Sequence, residues 1–362
     1  VLISPTGSGK SLIIYALVQR YLLNHQENNK KVLIIVPTTS LVEQMYNDFA
    51  DYGMPVEDCV HRIYSGRDKE TDKEIVVSTW QSIYKLQPKW FEQFGAVVGD
   101  ECHGFKSKSL TTIMNKCKEA AYRWGTTGTL DGSQTHELVL QGLFGKIYNV
   151  TTTKKLQDED TLAKLKINVL LLKHAEEVRR NWGKQDYQAE LDYIVRNEAR
   201  NNLITNLALD LTGNSLVLFN YVEKHGKPLF DLIRDKAHEK RKVFFVSGQV
   251  DTADREAIRK IVESQKNSIV VASLGTFSTG INIRNLHNIV FASPSKSQIR
   301  VLQSIGRGLR KSDDGSVAKL YDIADDLHWK GRKNYTLEHS AERVKIYIKQ
   351  EFDYKIYEVD LK

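Results

Sequence analysis

The 362-residue chain is poor in cysteine, with only Cys59, Cys102 and Cys117. Their number is odd and they show no Cys-x-x-Cys spacing. That argues against a disulfide framework or a cysteine-based zinc site and fits a reducing, cytoplasmic setting. Long apolar runs are absent too. None approaches the ~18 residues that a spanning helix needs, and no signal peptide is visible, so no membrane partner is expected. Short repeats and low-complexity tracts are also missing. Hydrophobic residues make up 41% and charged residues 27%, which is ordinary globular usage and no sign of disorder. At roughly 100–200 residues per domain, the length suits two domains. The formal net charge of +7 suggests an anionic partner without establishing one.

Short apolar, β-branched runs alternate with amphipathic stretches. In the first part the expected strands are Val1–Ser4, Val32–Val36, Ile75–Ser78, Ala96–Gly99 and Tyr122–Thr126, with helical patterns such as Ser11–Asn24 and Ser40–Tyr52. Strands that are apolar throughout are buried on both faces, so the pattern predicts a parallel sheet covered by helices. The rhythm breaks over 151–213, which holds one strand-like run, Lys166–Lys173, and then a charged helical pattern. It resumes with Leu216–Phe219, Lys242–Ser247, Ile269–Ala272, Ile289–Ala292 and Val317–Ile323. The expected organisation is therefore a first α/β lobe over 1–150, a linker packing on the lobes over 151–213, a second lobe over 214–330 and a basic extension over 331–362. Between His328 and Lys349, six basic residues stand against Glu338 and Glu342, with Trp329, Tyr335 and Tyr347 interleaved. This suits either stacking with phosphate contact or a solvated helix with an aromatic core face; the second reading is favoured.

The first strand runs into Ser4-Pro5-Thr6-Gly7-Ser8-Gly9-Lys10-Ser11, and a helix follows. Backbone N–H groups of such a turn converge on phosphate oxygens, and the helix N-terminus adds positive potential. Thr6, Gly7, Ser8, Gly9, Lys10 and Ser11 are the expected nucleotide-binding residues. Lys10 reaches the β- and γ-phosphates, and the Ser11 hydroxyl holds Mg²⁺. The pattern usually opens with Gly or Ala, whereas Ser4 stands here. The loop by itself indicates a nucleotide but no particular reaction.

Asp100-Glu101-Cys102-His103 follows the apolar run that ends at Gly99. Carboxylates at the end of a buried parallel strand lie on the sheet edge where the phosphate loop also lies. Asp100 is placed to bind Mg²⁺ through water, and Glu101 to orient and deprotonate the attacking water. An acidic pair at the start of a helix is the alternative.

Asp-Glu-x-His beside a phosphate loop resembles the DExH group of superfamily 2 helicases and translocases. The resemblance runs along almost the whole chain. Val36-Pro37-Thr38-Thr39-Ser40-Leu41 resembles motif Ia, Ser78-Thr79-Trp80-Gln81-Ser82 motif Ib, and Gly125-Thr126-Thr127-Gly128-Thr129 motif III. Leu218-Phe219-Asn220 falls where motif IV lies. Gly275-Thr276-Phe277-Ser278-Thr279-Gly280-Ile281-Asn282 resembles motif V, and Gln303-Ser304-Ile305-Gly306-Arg307-Gly308-Leu309-Arg310 motif VI.

The resemblance implies two tandem RecA-like lobes, each a mostly parallel sheet with helices on both faces, plus a short helical, basic C-terminal extension. It implies an ATPase with Lys10, Asp100, Glu101, Arg307 and Arg310 in catalytic roles. The two arginines would reach from the second lobe to ATP held by the first. Gly280 and Asn282 join the nucleotide contacts, although Asn282 stands where the family often has Asp. His103, Thr126, Thr127 and Gln303 would couple hydrolysis to movement; a satisfied core histidine is the other reading of His103. Thr38, Ser78, Thr79, Asn220, Thr276 and Thr279 would hold nucleic-acid phosphates without reading bases, each with a capping or turn role as the alternative. Trp80 reads more readily as core than as a stacking residue. ATP and Mg²⁺ are the implied cofactors.

The implied partner is DNA, single-stranded and branched, with RNA in hybrids as a further one and single-stranded-DNA-binding or recombination proteins as companions. The leading expectation is an ATP-driven DNA helicase that remodels stalled forks and recombination intermediates. An RNA helicase, a non-unwinding double-strand translocase and a nucleotide-gated scaffold are the alternatives. Because the chain opens inside a strand, it reads as a fragment lacking the upstream segment with which the family contacts adenine, so weak nucleotide affinity is expected.

Overall fold

The computed structural model describes all residues except 6, 26–28, 129, 131–133, 160–163, 183–185, 240, 281–282, 284, 295–316, 332–333 and 362; for 106, 153, 157, 252–253, 278–280 and 349 it describes the backbone alone. The chain divides into two compact units, Val1–Thr152 and Thr153–Lys362.

In the first unit seven strands form one sheet. They are β1 (Leu2–Ile3), β2 (Lys31–Val36), β3 (Val60–Ile63), β4 (Ile75–Thr79), β5 (Phe94–Gly99), β6 (Tyr122–Thr127) and β7 (Tyr148–Asn149). Their order is β3-β4-β2-β5-β6-β1-β7, and every pairing is parallel. Successive side chains of a strand point to opposite faces, and here both faces are packed. Leu33, Ile35, Val76 and Val97 join one apolar cluster, whereas Val32, Ile34, Val36, Val77 and Val98 join the other. Helix α1 (Lys10–Asn24) buries Ile14, Val18 and Tyr21, and α2 (Thr39–Asp51) buries Val42, Met45, Tyr46 and Phe49. Such i, i+3, i+4, i+7 stripes are what a helix covering a sheet needs.

The second unit repeats the plan. Its strands are β8 (Leu165–Lys173), β9 (Ser215–Phe219), β10 (Val243–Val246), β11 (Ile269–Ser273), β12 (Asn288–Phe291), β13 (Ala318–Asp326) and β14 (Asp353–Asp360). The order is β10-β11-β9-β12-β13-β8-β14, again all parallel. Leu216 and Leu218 face one cluster, and Val217 and Phe219 the other.

Two segments differ from the sequence expectation. The stretch 151–213, expected as a linker, supplies β8, which lies between β13 and β14. Its apolar positions Leu165, Ile167, Val169 and Leu172 are buried, so the strand is part of the sheet. The expected extension 331–362 contributes helix Tyr335–Lys349 and edge strand β14. That helix buries Tyr347 and Arg343, with the guanidinium donating to Asp322 at 2.7 and 2.9 Å. The favoured aromatic-core reading therefore describes Tyr347. Edge strand β14 is mostly exposed and carries Lys355 and Glu358, side chains that discourage further strand pairing.

Candidate active site

All strands of a parallel sheet end on the same edge, and the connections leaving that edge are where ligands bind. In the first unit that edge carries the phosphate loop after β1, Thr38 after β2, Thr79 at the end of β4, Asp100 and Glu101 after β5, and Thr126 and Thr127 at the end of β6. The Ser4 N–H donates to the Thr127 carbonyl at 2.9 Å, which ties the start of the loop to β6.

Gly7 (φ +84°) and Gly9 (φ +82°) both take the left-handed conformation, which a Cβ would disfavour. Gly9 caps α1 and has no side chain to occupy the first-turn N–H groups, and no acidic residue stands in that turn. The helix therefore presents an uncompensated positive end. The Ser8 hydroxyl donates to the Pro5 carbonyl at 2.6 Å, so Ser4 Oγ, 2.5 Å away, donates to Ser8 Oγ. The serine that replaces the usual Gly or Ala thus braces the loop from beneath. Lys10 Nζ overhangs the loop, donating to the Ser4 and Pro5 carbonyls at 3.3 and 3.4 Å. Ser11 Oγ lies 2.9 Å from the hydroxyl of Tyr52. Tyr52 escaped the sequence reading, and no local signal marks it, since it is simply the residue after α2. Thr6 lies outside the described residues.

Asp100 is buried, and its Oδ1 accepts from Thr126 Oγ1 at 2.8 Å. Burial and, after it, the charge of Glu101 push its carboxyl up to about 6, while Lys10 and the Thr126 hydroxyl pull it back. A buried carboxylate crowded by a second one fits a divalent cation, whose charge would relieve the crowding. Glu101 itself holds φ +47°, a strained value for a residue with a side chain. His103 Nδ1 stands 3.3 Å from Glu101 Oε2 and 3.0 Å from Thr127 Oγ1. The histidine therefore joins the acidic pair to the end of β6, the linking position of the two readings given for it. Gly99 and Gly125 permit this crowding. A Cβ on Gly99 would come within 2.7 Å of the Phe105 ring, and one on Gly125 within 3.0 Å of Cys102 Sγ. Cys102 is a packing residue whose thiol burial pushes well up.

The expected nucleic-acid residues divide. Thr38 caps α2, accepting from the Leu41 N–H at 3.4 Å. Thr79 is buried and pairs with Ser82 Oγ at 2.9 Å. Ser78 departs from expectation. It is fully buried and its hydroxyl donates to the carbonyls of Ile63 and Thr79, because its place in β4 turns it inward. Trp80 is partly buried against the first unit's core.

In the second unit Asn220 follows β9 and Thr276 follows β11 on the corresponding edge. Thr276 Oγ1 accepts from Ser273 at 2.7 Å. The Asn220 N–H donates to Ser293 Oγ and its side chain to the Pro294 carbonyl. Ser293 in turn lies 2.8 Å from Nδ1 of buried His225, whose Nε2 is 3.2 Å from Asn201 Oδ1. Thr279 and Gly280 are described by backbone alone, within helix Leu274–Gly280. Asn282, Gln303, Arg307 and Arg310 lie outside the described residues.

Two parallel α/β units, the first ending its strands in a phosphate loop and an Asp-Glu-x-His turn, define a class. The chain belongs to the superfamily 2 helicases, which are ATP-dependent enzymes. Residues 1–132 match the family "Type III restriction enzyme, res subunit", and residues 198–312 match the "Helicase conserved C-terminal domain". The chain is 38% identical over 374 residues to the ATP-dependent DNA helicase UvsW of Enterobacteria phage T4, an alignment covering 99% of this chain and 73% of that protein. The fold resembles the ATP-dependent Type ISP restriction-modification enzyme LlaBIII, solved bound to DNA (14% identity, TM-score 0.71, 99% of this chain and 30% of that one). It also resembles a putative HsdR subunit of a type I restriction enzyme from Vibrio vulnificus (16% identity, TM-score 0.71, 99% and 64%). Among the described residues no helix is long and apolar enough to cross a membrane.

Proposed function

We propose that the chain couples ATP hydrolysis to remodelling of branched DNA, such as stalled forks and recombination intermediates. The observation that carries the hydrolytic part is the joined set Lys10, Asp100–Thr126 and Glu101–His103–Thr127 on one sheet edge. The DNA part is supported by the 38% identity to a protein named as a DNA helicase.

In this reading Lys10 and the N–H groups opening α1 hold the nucleotide phosphates. Ser11 and Asp100 hold Mg²⁺, which when bound supplies charge neutralisation on those phosphates. Glu101 orients the attacking water and takes its proton, and His103 relays the state of that carboxylate to Thr127. Arg307 and Arg310 neutralise charge on the γ-phosphate, a role worth roughly 10³–10⁵ in rate for an arginine finger.

Glu101→Gln should cut DNA-stimulated ATP hydrolysis by about 10²–10⁴-fold, the range for a positioned general base, while leaving ATP binding intact. An unchanged rate would overturn the hydrolytic assignment. Stimulation should be largest with a four-way junction, smaller with single-stranded DNA and duplex, and least with RNA. RNA as the best stimulator would point instead to an RNA helicase.

A further inference from the structure

We infer that Trp329, with Arg179, Arg180 and Lys330 around it, forms a stacking site for a base of single-stranded nucleic acid. The inference deepens the nucleic-acid reading above and rests on it.

Trp329 lies three residues past the end of β13, and Arg179 and Arg180 lie in helix Glu176–Trp182, just past the end of neighbouring β8. The indole is half-buried and Lys330 exposed. The guanidinium carbons of Arg179 and Arg180 stand 5.7 and 5.5 Å from the ring centroid, and Lys330 Nζ 6.0 Å. Arg179 is held by neutral acceptors, donating to the His174 carbonyl at 2.9 Å and the His328 carbonyl at 3.4 Å. Among the described residues no carboxylate pairs with it, whereas Arg180 donates to Glu176 Oε1 at 2.8 Å, so Arg179 and Lys330 are the cations offered to phosphate. The segment bearing Trp329 is anchored as well. The Leu327 N–H donates to Asn334 Oδ1 at 2.7 Å and the His328 N–H to Asp326 Oδ1 at 2.8 Å. An anchored aromatic ringed by cations is the chemistry that takes a base on its π-face and the flanking phosphates on its charges.

Its place in the sheet points the same way. Along the edge of the second unit the order β11, β9, β12, β13, β8 sets out Thr276, Asn220, Ser293, Trp329 and Arg179 in a row. Strand β13, which leads to Trp329, is three strand spacings from β11, which leads to Thr276, or about 14 Å across the sheet. The indole therefore stands at one end of the line of candidate phosphate contacts, where it would hold a base while they hold the backbone.

The test uses the whole chain and two probes of equal length, an oligothymidylate and an abasic oligomer with the same number of phosphates. Base–aromatic stacking leads to an expected loss of roughly 5- to 100-fold in oligothymidylate affinity for Trp329→Ala, with Trp329→Phe close to wild type. Affinity for the abasic oligomer should not change, because it has no base to stack. Arg179→Ala with Lys330→Ala should lower the salt slope for both probes by about 1.4, at roughly 0.7 per phosphate contact. If Trp329→Ala matches wild type on both probes, or loses affinity for both equally, the stacking site is wrong while the nucleic-acid reading stands. If wild type binds neither probe, that reading falls and the site with it. Competition by an acidic peptide, lost in Trp329→Ala, with no change in oligothymidylate binding, would instead reassign the patch to a protein partner.

Discussion

At the scale of single residues, the first unit shows how a motif becomes a device. Asp100 and Glu101 are neighbours in sequence, yet each is held by a different threonine of β6, Asp100 by Thr126 and Glu101 through His103 by Thr127. The two contacts have different consequences. Losing the Thr126 hydroxyl would remove one of the interactions that favour ionised Asp100. Losing the Thr127 hydroxyl would leave Asp100 untouched and remove one of the two groups that share His103 Nδ1. Thr127→Val, which keeps the shape and removes the hydroxyl, should therefore leave ATP hydrolysis without DNA within about twofold of wild type. It should abolish most of the stimulation by single-stranded DNA. Steady-state hydrolysis with and without DNA separates the two quantities, and a parallel fall in both would show that Thr127 serves catalysis rather than coupling.

At the scale of elements, Glu190 does for one helix what a local cap does for most. Helix Tyr335–Lys349 begins after Asn334, whose side chain makes no capping bond of its own. Instead buried Glu190, from helix Tyr187–Arg196, accepts from the Thr336 N–H, the Thr336 hydroxyl and the Asn334 side chain, each at 2.7 Å, and from the Tyr335 N–H at 3.1 Å. A carboxylate suits this place, since helix N-termini favour negative charge. Glu190→Gln replaces one acceptor oxygen by a donor that faces other donors. It should cost about 1–3 kcal/mol, read as a lower urea midpoint and faster amide exchange across 335–349. Unchanged exchange there would mean that packing of Tyr347 and Arg343 holds the helix without the cap. This contact also marks the limit of what the sequence discloses. The buried strands β2, β4, β5, β9, β11 and β12 announce themselves as β-branched runs, because both their faces are apolar. Strand β3, Val-His-Arg-Ile, and the two-residue β7 carry too little apolar character to be seen. Run 166–173 reads as a strand, but its seat beside β13 depends on pairing with residues about 150 positions away. The site residues legible in advance are those whose chemistry demands a fixed local spacing. Tyr52 on Ser11 and Glu190 on Thr336 are tertiary contacts with no such spacing, and the inward turn of Ser78 is not legible because a hydroxyl at a strand end reads the same whether it points out or in.

At the scale of the whole molecule, the two units share a plan but respond oppositely to acid. In the second unit burial, and after it the nearby charge of Arg200, lower the His225 imidazole from its ordinary 6.5 to about 3. The unfolded chain then binds a proton between pH 6.5 and 3 that the folded unit refuses, so stability falls as pH drops through that window, by up to about 5 kcal/mol. Asp325 acts in the same direction at lower pH. Burial would raise its carboxyl, but Arg200 and His174 hold it below the usual range, and its contribution is lost as pH falls through that lowered value. Asp100 in the first unit has the reverse sign. Its carboxyl lies near 6 rather than 3.8, so the folded unit takes up a proton before the unfolded chain does, and the strain of the acidic pair is relieved as pH falls from 6 to 4. Acid should therefore open the second unit while the first is still folded. Amide exchange resolved along the chain between pH 6.5 and 4 should show protection lost in β9, β12 and β13 before β2, β4 and β5. In His225→Gln, which titrates no proton, the second unit should start less stable at neutral pH because the bonds to Ser293 and Asn201 are disturbed. Its stability should then vary less over the same range. Loss of the first unit first, or an undiminished pH slope in His225→Gln, would show that the buried histidine does not set the acid limit of this fold.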